Sequence, residues 1–239
     1  RVVVMGLCPS VMTTADSHTT YSLPSSGAGL TDVLVTPNGV TGSRKQPFGR
    51  ALEFAHAAVR IVLKARRTDN TVGKLYVKNL KLTVPARLVC GGLKWDTGTK
   101  QYLAAPAAAD LVINHSGQIL STEDTQVAVF YLTPCSPADL LTDLTGTGGT
   151  PGLTLMADVA KDINFTTGAR NASFPILDGN LNFMDQFGSP ATQLKGGESY
   201  ETTLKFDIDS FTLEGEEKEW EDGGKMTVPV VVPEPTPGP

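Results

Sequence analysis

Ala51-Leu52-Glu53-Phe54-Ala55-His56-Ala57-Ala58-Val59-Arg60-Ile61-Val62-Leu63-Lys64-Ala65-Arg66-Arg67 is the stretch on which the fold turns. Its first half is rich in alanine and leucine and could begin a helix. Its second half is dominated by β-branched residues, which favour a strand. Leu52, Phe54, His56 and Ala58 share one parity; Val59, Ile61 and Leu63 share the other. A strand that keeps both sets inward has to kink near Ala57-Ala58, because one inserted residue exchanges the faces. We read a kinked strand here, not a helix.

The rest of the chain agrees with an all-β fold. The 239 residues include 24 glycines and 16 prolines spread throughout, and short apolar alternations lie between these turn residues. Strands are expected at Val2–Leu7, Asp32–Thr36, Gly73–Leu80, Leu82–Val89, Gln126–Leu132, Leu153–Ala157, Tyr200–Ile208, Phe211–Glu214 and Met226–Val232, besides Leu52–Ala65. Tyr200, Thr202, Leu204, Phe206 and Ile208 alternate onto one face. The Ala/Pro-rich stretch Leu103–Asp110 reads as a linker. It divides the chain into an N-terminal β-domain at 1–105 and a C-terminal β-domain at 106–224, followed by a terminal strand and proline-rich tail at 225–239. Thr142–Gly152 reads as a loop, and Gly196-Gly197 marks a turn.

Lys225-Met226-Thr227-Val228-Pro229-Val230-Val231-Val232-Pro233 leads into Glu234-Pro235-Thr236-Pro237-Gly238-Pro239. Pro229 has no N–H, so the segment suits an edge strand and not a central one. Such a strand pairs with its own sheet or adds to another protein's sheet. Met226, Val228, Val230 and Val232 have the two-residue spacing of a donor strand. Burying four such side chains contributes roughly 1.5–3 kcal/mol each, before the cost in entropy.

Composition excludes several classes. The net charge is −5 with both signs interspersed, which argues against a nucleic-acid partner. No apolar run is long enough to span a bilayer. Cys8, Cys90 and Cys135 are an odd number without a CxxC spacing. They read as buried thiols, with one disulfide plus a spare thiol as the alternative. His56 lies in an apolar strand and reads as a satisfied semi-core histidine; His18 and His115 have no metal-ligand spacing around them. There is no GxSxG, P-loop or GxGxxG. The acidic run Glu214–Asp222 around Trp220 reads as a solvated hairpin or exposed turn rather than a glycosidase pair. These absences point to a protein without catalysis, cofactor or metal site. Asn164-Phe165-Thr166 and Asn171-Ala172-Ser173 match a glycosylation sequon.

Four segments resemble the fimbrillin family, the subunits of type V pili. Leu30-Thr31-Asp32-Val33-Leu34-Val35 is similar to a D-[LV]-L segment before the first core strand. Leu52 to Leu63 is similar to an F-x-H-A-x-x-[KR]-[IV]-x-[VL] strand. Val127-Ala128-Val129-Phe130-Tyr131-Leu132-Thr133-Pro134 resembles a Y-[LM]-x-P segment. Gly196-Gly197-Glu198-Ser199-Tyr200-Glu201-Thr202-Thr203-Leu204, followed by Trp220, resembles the closing G-x-x-Y-x-[YT]-x-[IL]…W. The resemblance implies two transthyretin-like, Greek-key β-sandwich domains in tandem. It implies export as a lipoprotein to the outer membrane and cell surface. It also implies polymerisation with other pilus subunits by donor strand exchange, after proteolysis at an arginine. Arg1 is then the candidate processing point, and Met226, Val228, Val230 and Val232 are the candidate donor residues. Host or bacterial surface ligands are expected as further partners. The competing expectation is a secreted carbohydrate-binding β-sandwich, for which Trp95, Tyr102 and Trp220 are the candidate aromatic platform.

Overall fold

A computed structural model of the chain describes residues 2–4, 7–8, 13–16, 19–36, 40–42, 53–67, 76–119, 121–140, 152–160, 162–166, 170–175, 193–206, 210–219 and 225–231. Within these the fold is all-β, with several antiparallel sheets and a single 3-10 turn at Pro137–Leu140. The early strands are β1 (Val2–Val4), β2 (Leu7–Cys8), β3 (Thr13–Asp16), β4 (Thr20–Ser22), β5 (Leu34–Val35), β6 (Val40–Gly42), β7 (Ala55–His56) and β8 (Val59–Arg67). Next come β9 (Tyr76–Val84), β10 (Cys90–Asp96), β11 (Gln101–Pro106), β12 (Leu111–His115) and β13 (Thr125–Leu132). The last are β14 (Thr154–Ala160), β15 (Arg170–Pro175), β16 (Glu198–Phe206), β17 (Ser210–Glu219) and β18 (Lys225–Val231).

A five-stranded sheet has the order β13-β8-β16-β17-β18, and a four-stranded sheet the order β12-β9-β14-β15. Residues of both build the larger core, from Val59, Ile61 and Leu63 to Tyr200, Leu204 and Phe206. A smaller core holds Leu23, Val33, Val35, Ala58, Cys90 and Leu93. Its residues come from or adjoin the sheet β11-β10-β4-β3 and the sheet β2-β5-β7. The pairing of β1 with β6 stands apart. The ladder between β8 and β16 is parallel, and among the described residues every other ladder is antiparallel. A parallel pair needs a long crossover, and here it brings residue 199 beside residue 60.

The kink lies where parity placed it. β7 ends at His56, β8 begins at Val59, and Ala58 and Val59 are both fully buried. Two consecutive residues of one regular strand face opposite sides. Here Ala58 enters the smaller core and Val59 the larger one. Phe54, expected inward, is 47% exposed, because the segment before the kink is the last strand of a small three-stranded sheet.

Other expectations change. The strands expected at Gly73–Leu80 and Leu82–Val89 are one strand, β9, and Leu80 and Leu82 are both buried. Asn79 takes up the irregularity with φ 53°, while the ladder to β14 shifts register between Met156 and Asp158. The expected linker at 103–110 is strand as far as Pro106. Its alanines serve close packing: a Cβ at Gly91 would lie 2.4 Å from Ala107 Cα. The expected break at 105/106 falls inside β11. Moreover β8 and β9, from before it, are inner strands of sheets completed by β12, β13, β14 and β16 from after it.

Gly29 ties the turn at 24–31 to both cores. Its N–H donates to Cys90 O and its carbonyl accepts from Tyr131 N, each at 2.8 Å. Its φ is +69°, and a Cβ there would meet Val89 Cγ1 at 2.6 Å and Leu111 Cδ2 at 2.7 Å. Gly29→Ala is expected to destabilise the fold by about 2–4 kcal/mol, from left-handed backbone cost and overpacking together. Urea unfolding measures this, and a change below about 0.5 kcal/mol would contradict the junction role.

Candidate assembly edge

The segment at 225–231 pairs within its own chain. β18 lies antiparallel to β17, with Lys225 opposite Glu216, Met226 opposite Gly215, Val228 opposite Leu213, Pro229 opposite Thr212 and Val230 opposite Phe211. Among the described residues β17 is its one strand partner, so β18 is an edge strand. That is where a proline fits, since only one side of the strand must supply ladder bonds.

Register extends this position across the sheet. Gly215, Leu213 and Phe211 of β17 stand opposite Thr202, Leu204 and Phe206 of β16. Those stand beside Leu63, Ala65 and Arg67 of β8. Directly paired positions share a face of a sheet. Positions 226, 228 and 230 therefore fall in the cross-strand rows that contain buried Leu63, Ala65, Leu204 and Phe206. Lys225 shares a row with Glu216, Glu201 and Val62. Of the two readings of the acidic stretch, a hairpin and an exposed turn, Glu214–Glu219 follow the first: they belong to a strand paired antiparallel with β16 and β18. Beside it Glu201 accepts from Lys64 Nζ at 2.6 Å. Val232, Arg1 and Trp220 lie outside the described residues, as do His18, Thr142–Thr150 and the tail beyond Val231.

The four segments that resemble fimbrillins converge on one place, the kink between the cores. Asp32 Oδ2 lies 2.5 Å from half-buried His56 Nδ1, which makes His56 a partnered semi-core residue. Arg60 stands between Tyr131 and Ser199 in a single cross-strand row and donates to Ser199 Oγ at 3.1 Å. Burial and then the Asp32 carboxylate push the Tyr131 phenol up, and its contact with Arg60 pulls it back. Gly196 sits against Ala57 so closely that a Cβ would lie 2.5 Å from Ala57 O. The N–H of Gly197 donates to Ala58 O at 2.9 Å. These motif residues are thereby explained by packing and hydrogen bonding at a joint. Among the described residues no group of three or more His, Cys, Asp or Glu is placed to hold a metal.

Sequence reasoning named Trp95 and Tyr102, and the structure brings them together at 5.0 Å between ring centroids. It missed Tyr21, which completes the cluster from β4; that strand is only three residues long and carries no alternation to read.

No protein-family model matches the chain. No curated protein matches it either. Solved structures do resemble it. One is a putative cell adhesion protein from Bacteroides uniformis, at 12% identity and a TM-score of 0.49, matched over 91% of this chain and 72% of that one. Another, from Bacteroides fragilis, has 11% identity and a TM-score of 0.38 over 84% of this chain and 62% of that one. The tip fimbrial protein Mfa3 from Porphyromonas gingivalis, with a C-terminal truncation, has 8% identity and a TM-score of 0.32 over 82% and 60%. The chain thus spans about 60–72% of the length of these proteins. At such identities and scores the likeness transfers no function.

The three thiols are free, and only two are buried as expected: Cys8 is exposed, opposite Leu34 in a two-residue pairing. Burial pushes Cys90 up to about 11 and, with help from Asp139, Cys135 up to about 12. At pH 8 a thiol reagent should therefore label Cys8 alone in the folded chain and all three in urea. Because both folded values lie above the ordinary thiol value, their contribution to stability is complete below about pH 9. It is lost as pH rises through about 11 to 12. Equal labelling rates for all three native thiols would contradict this, as would stability that is flat through that alkaline range.

Proposed function

We propose that this chain is a non-enzymatic cell-surface subunit, a fimbrial building block or adhesin, that joins other copies or other pilus subunits by exchange of β18. The observation that carries this reading is the place of β18. It is the edge of the main sheet, in contact with the rest of that sheet through β17. Yet positions 226, 228 and 230 align with rows that are buried further in. Taking such a strand away leaves one side of β17 with unpaired N–H and C=O groups. A strand of the same sequence from a neighbour satisfies them in the same register. The donor residues in this scheme are Met226, Val228, Val230 and Val232. Tandem transthyretin-like domains, lipoprotein export to the outer membrane and cleavage at Arg1 belong to the same proposal, supported by the four fimbrillin-like segments.

Truncation tests it. A chain ending at Lys225 should keep its cooperative unfolding and lose the capacity to polymerise. A synthetic peptide of residues 225–232 should bind the truncated chain and not the intact one. Failure of the truncated chain to fold would make β18 an internal structural strand and remove the donor role.

A further inference from the structure

The aromatic cluster on the small sheet is separate from β18 and unexplained by assembly. Trp95 of β10 stands opposite Tyr102 of β11, with ring planes 65° apart. Tyr102 also meets Tyr21 of β4, at 5.3 Å and 67°. The Tyr102 hydroxyl donates to the Tyr21 oxygen at 3.4 Å, and burial, then this bond to Tyr21, pushes Tyr102 up to about 12. Tyr21 and Tyr102 pack against the smaller core, and Trp95 does not belong to that set. The indole is therefore in edge-type contact with the Tyr102 ring and outside the set packed against the core, while remaining partly exposed. It sits at the hairpin end of its sheet, next to the exposed turn Thr97–Lys100.

Geometry narrows what such a group can take. An aromatic cage for an ammonium group needs a void between rings. Centroid distances of 5.0 and 5.3 Å are contact distances and leave none. The same contact closes any slot for a proline ring between them. What remains is the partly exposed indole of Trp95, with the Tyr102 ring against it and Tyr21 beyond. The cross-strand rows Trp95–Tyr102 and Ala104–Leu93–Tyr21–Thr14 carry no formal charge, and the charges beside them, Asp96 and Lys100, are of opposite sign. A flat, neutral partner with C–H groups on its face and hydroxyls at its rim matches that surface. A hexopyranose has this chemistry. A nucleobase on a phosphate backbone does not suit a chain of net charge −5.

We propose that Trp95, Tyr102 and Tyr21 form a binding site for a neutral hexopyranosyl glycan, with the Trp95 indole as its stacking face and the two tyrosine hydroxyls as polar contacts. The full chain should bind neutral glycans on a glycan array. Calorimetry with the strongest neutral glycan from that array should show binding at least tenfold weaker in Trp95→Ala. The thermal midpoint and polymerisation should stay unchanged, which separates this site from β18. Trp95→Phe and Tyr102→Phe are expected to weaken binding several-fold with the fold intact; they decide the matter if Trp95→Ala does not fold. The proposal is overturned if no neutral glycan binds, if only sialylated or sulfated glycans bind, or if the foldable variants bind like the parent chain.

Discussion

The fold depends on one steric constraint: at Ala58 and Val59 two neighbouring residues must be buried in two different cores. A regular strand turns them to opposite sides, and only a chain running between two cores can bury both. Small side chains make the passage possible. Ala57 and Ala58 leave room for Gly196, whose missing Cβ lets the backbone of the β16 approach come against Ala57 O. Two hydrogen bonds fix the joint, Ala57 N to Val33 O and Gly197 N to Ala58 O, each at 2.9 Å. A second passage runs nearby. Val89 belongs to the larger core and Cys90 to the smaller, and a bulge follows between Cys90 and Gly92.

Register then propagates outward. With Gly197 bonded to Ala58, β16 can enter beside β8 only with Ser199 at Arg60. That pairing aligns Tyr200 with Ile61 and Leu204 with Ala65, all buried. A slip of one residue would exchange both faces of β16 and bring Glu201 into the apolar rows. The hairpin to β17 inherits this register over nine pairs, and β18 inherits it in turn. The position of the edge strand is thus fixed by an alanine pair about 170 residues earlier in the chain.

This also explains what could be read from the residues alone. Parity is a local property, so the kink in residues 52–65 and the inward face of Tyr200, Leu204 and Phe206 were legible. Composition misled where one residue type serves two physical ends. Alanine and proline at 103–110 suggested a linker, but there they permit close backbone approach. Acidic residues at 214–222 left a solvated hairpin and an exposed turn open; residues 214–219 take the hairpin form, as a strand held between β16 and β18 with a neighbouring carboxylate offset by Lys64. The aromatic site was half legible. Trp95 and Tyr102 are seven residues apart across a hairpin, whereas Tyr21 reaches them only through the strand order β11-β10-β4.

In the proposed exchange the same ladder would serve β18 in its own chain and in a neighbour, so affinity for the ladder cannot decide between them. Effective concentration favours the chain's own strand: a short tether corresponds to roughly millimolar local concentration. A neighbour at micromolar concentration loses that competition unless it offers something more. Edge pairing satisfies one side of β18 only, whereas insertion between two strands satisfies both and buries alternate side chains from two directions. Pro229 limits that gain, because it removes one donor from whichever side it faces. Exchange therefore favours an acceptor that has lost a strand of its own over any intact copy. Under that proposal intact copies would remain separate, and assembly would wait on an event that opens the acceptor.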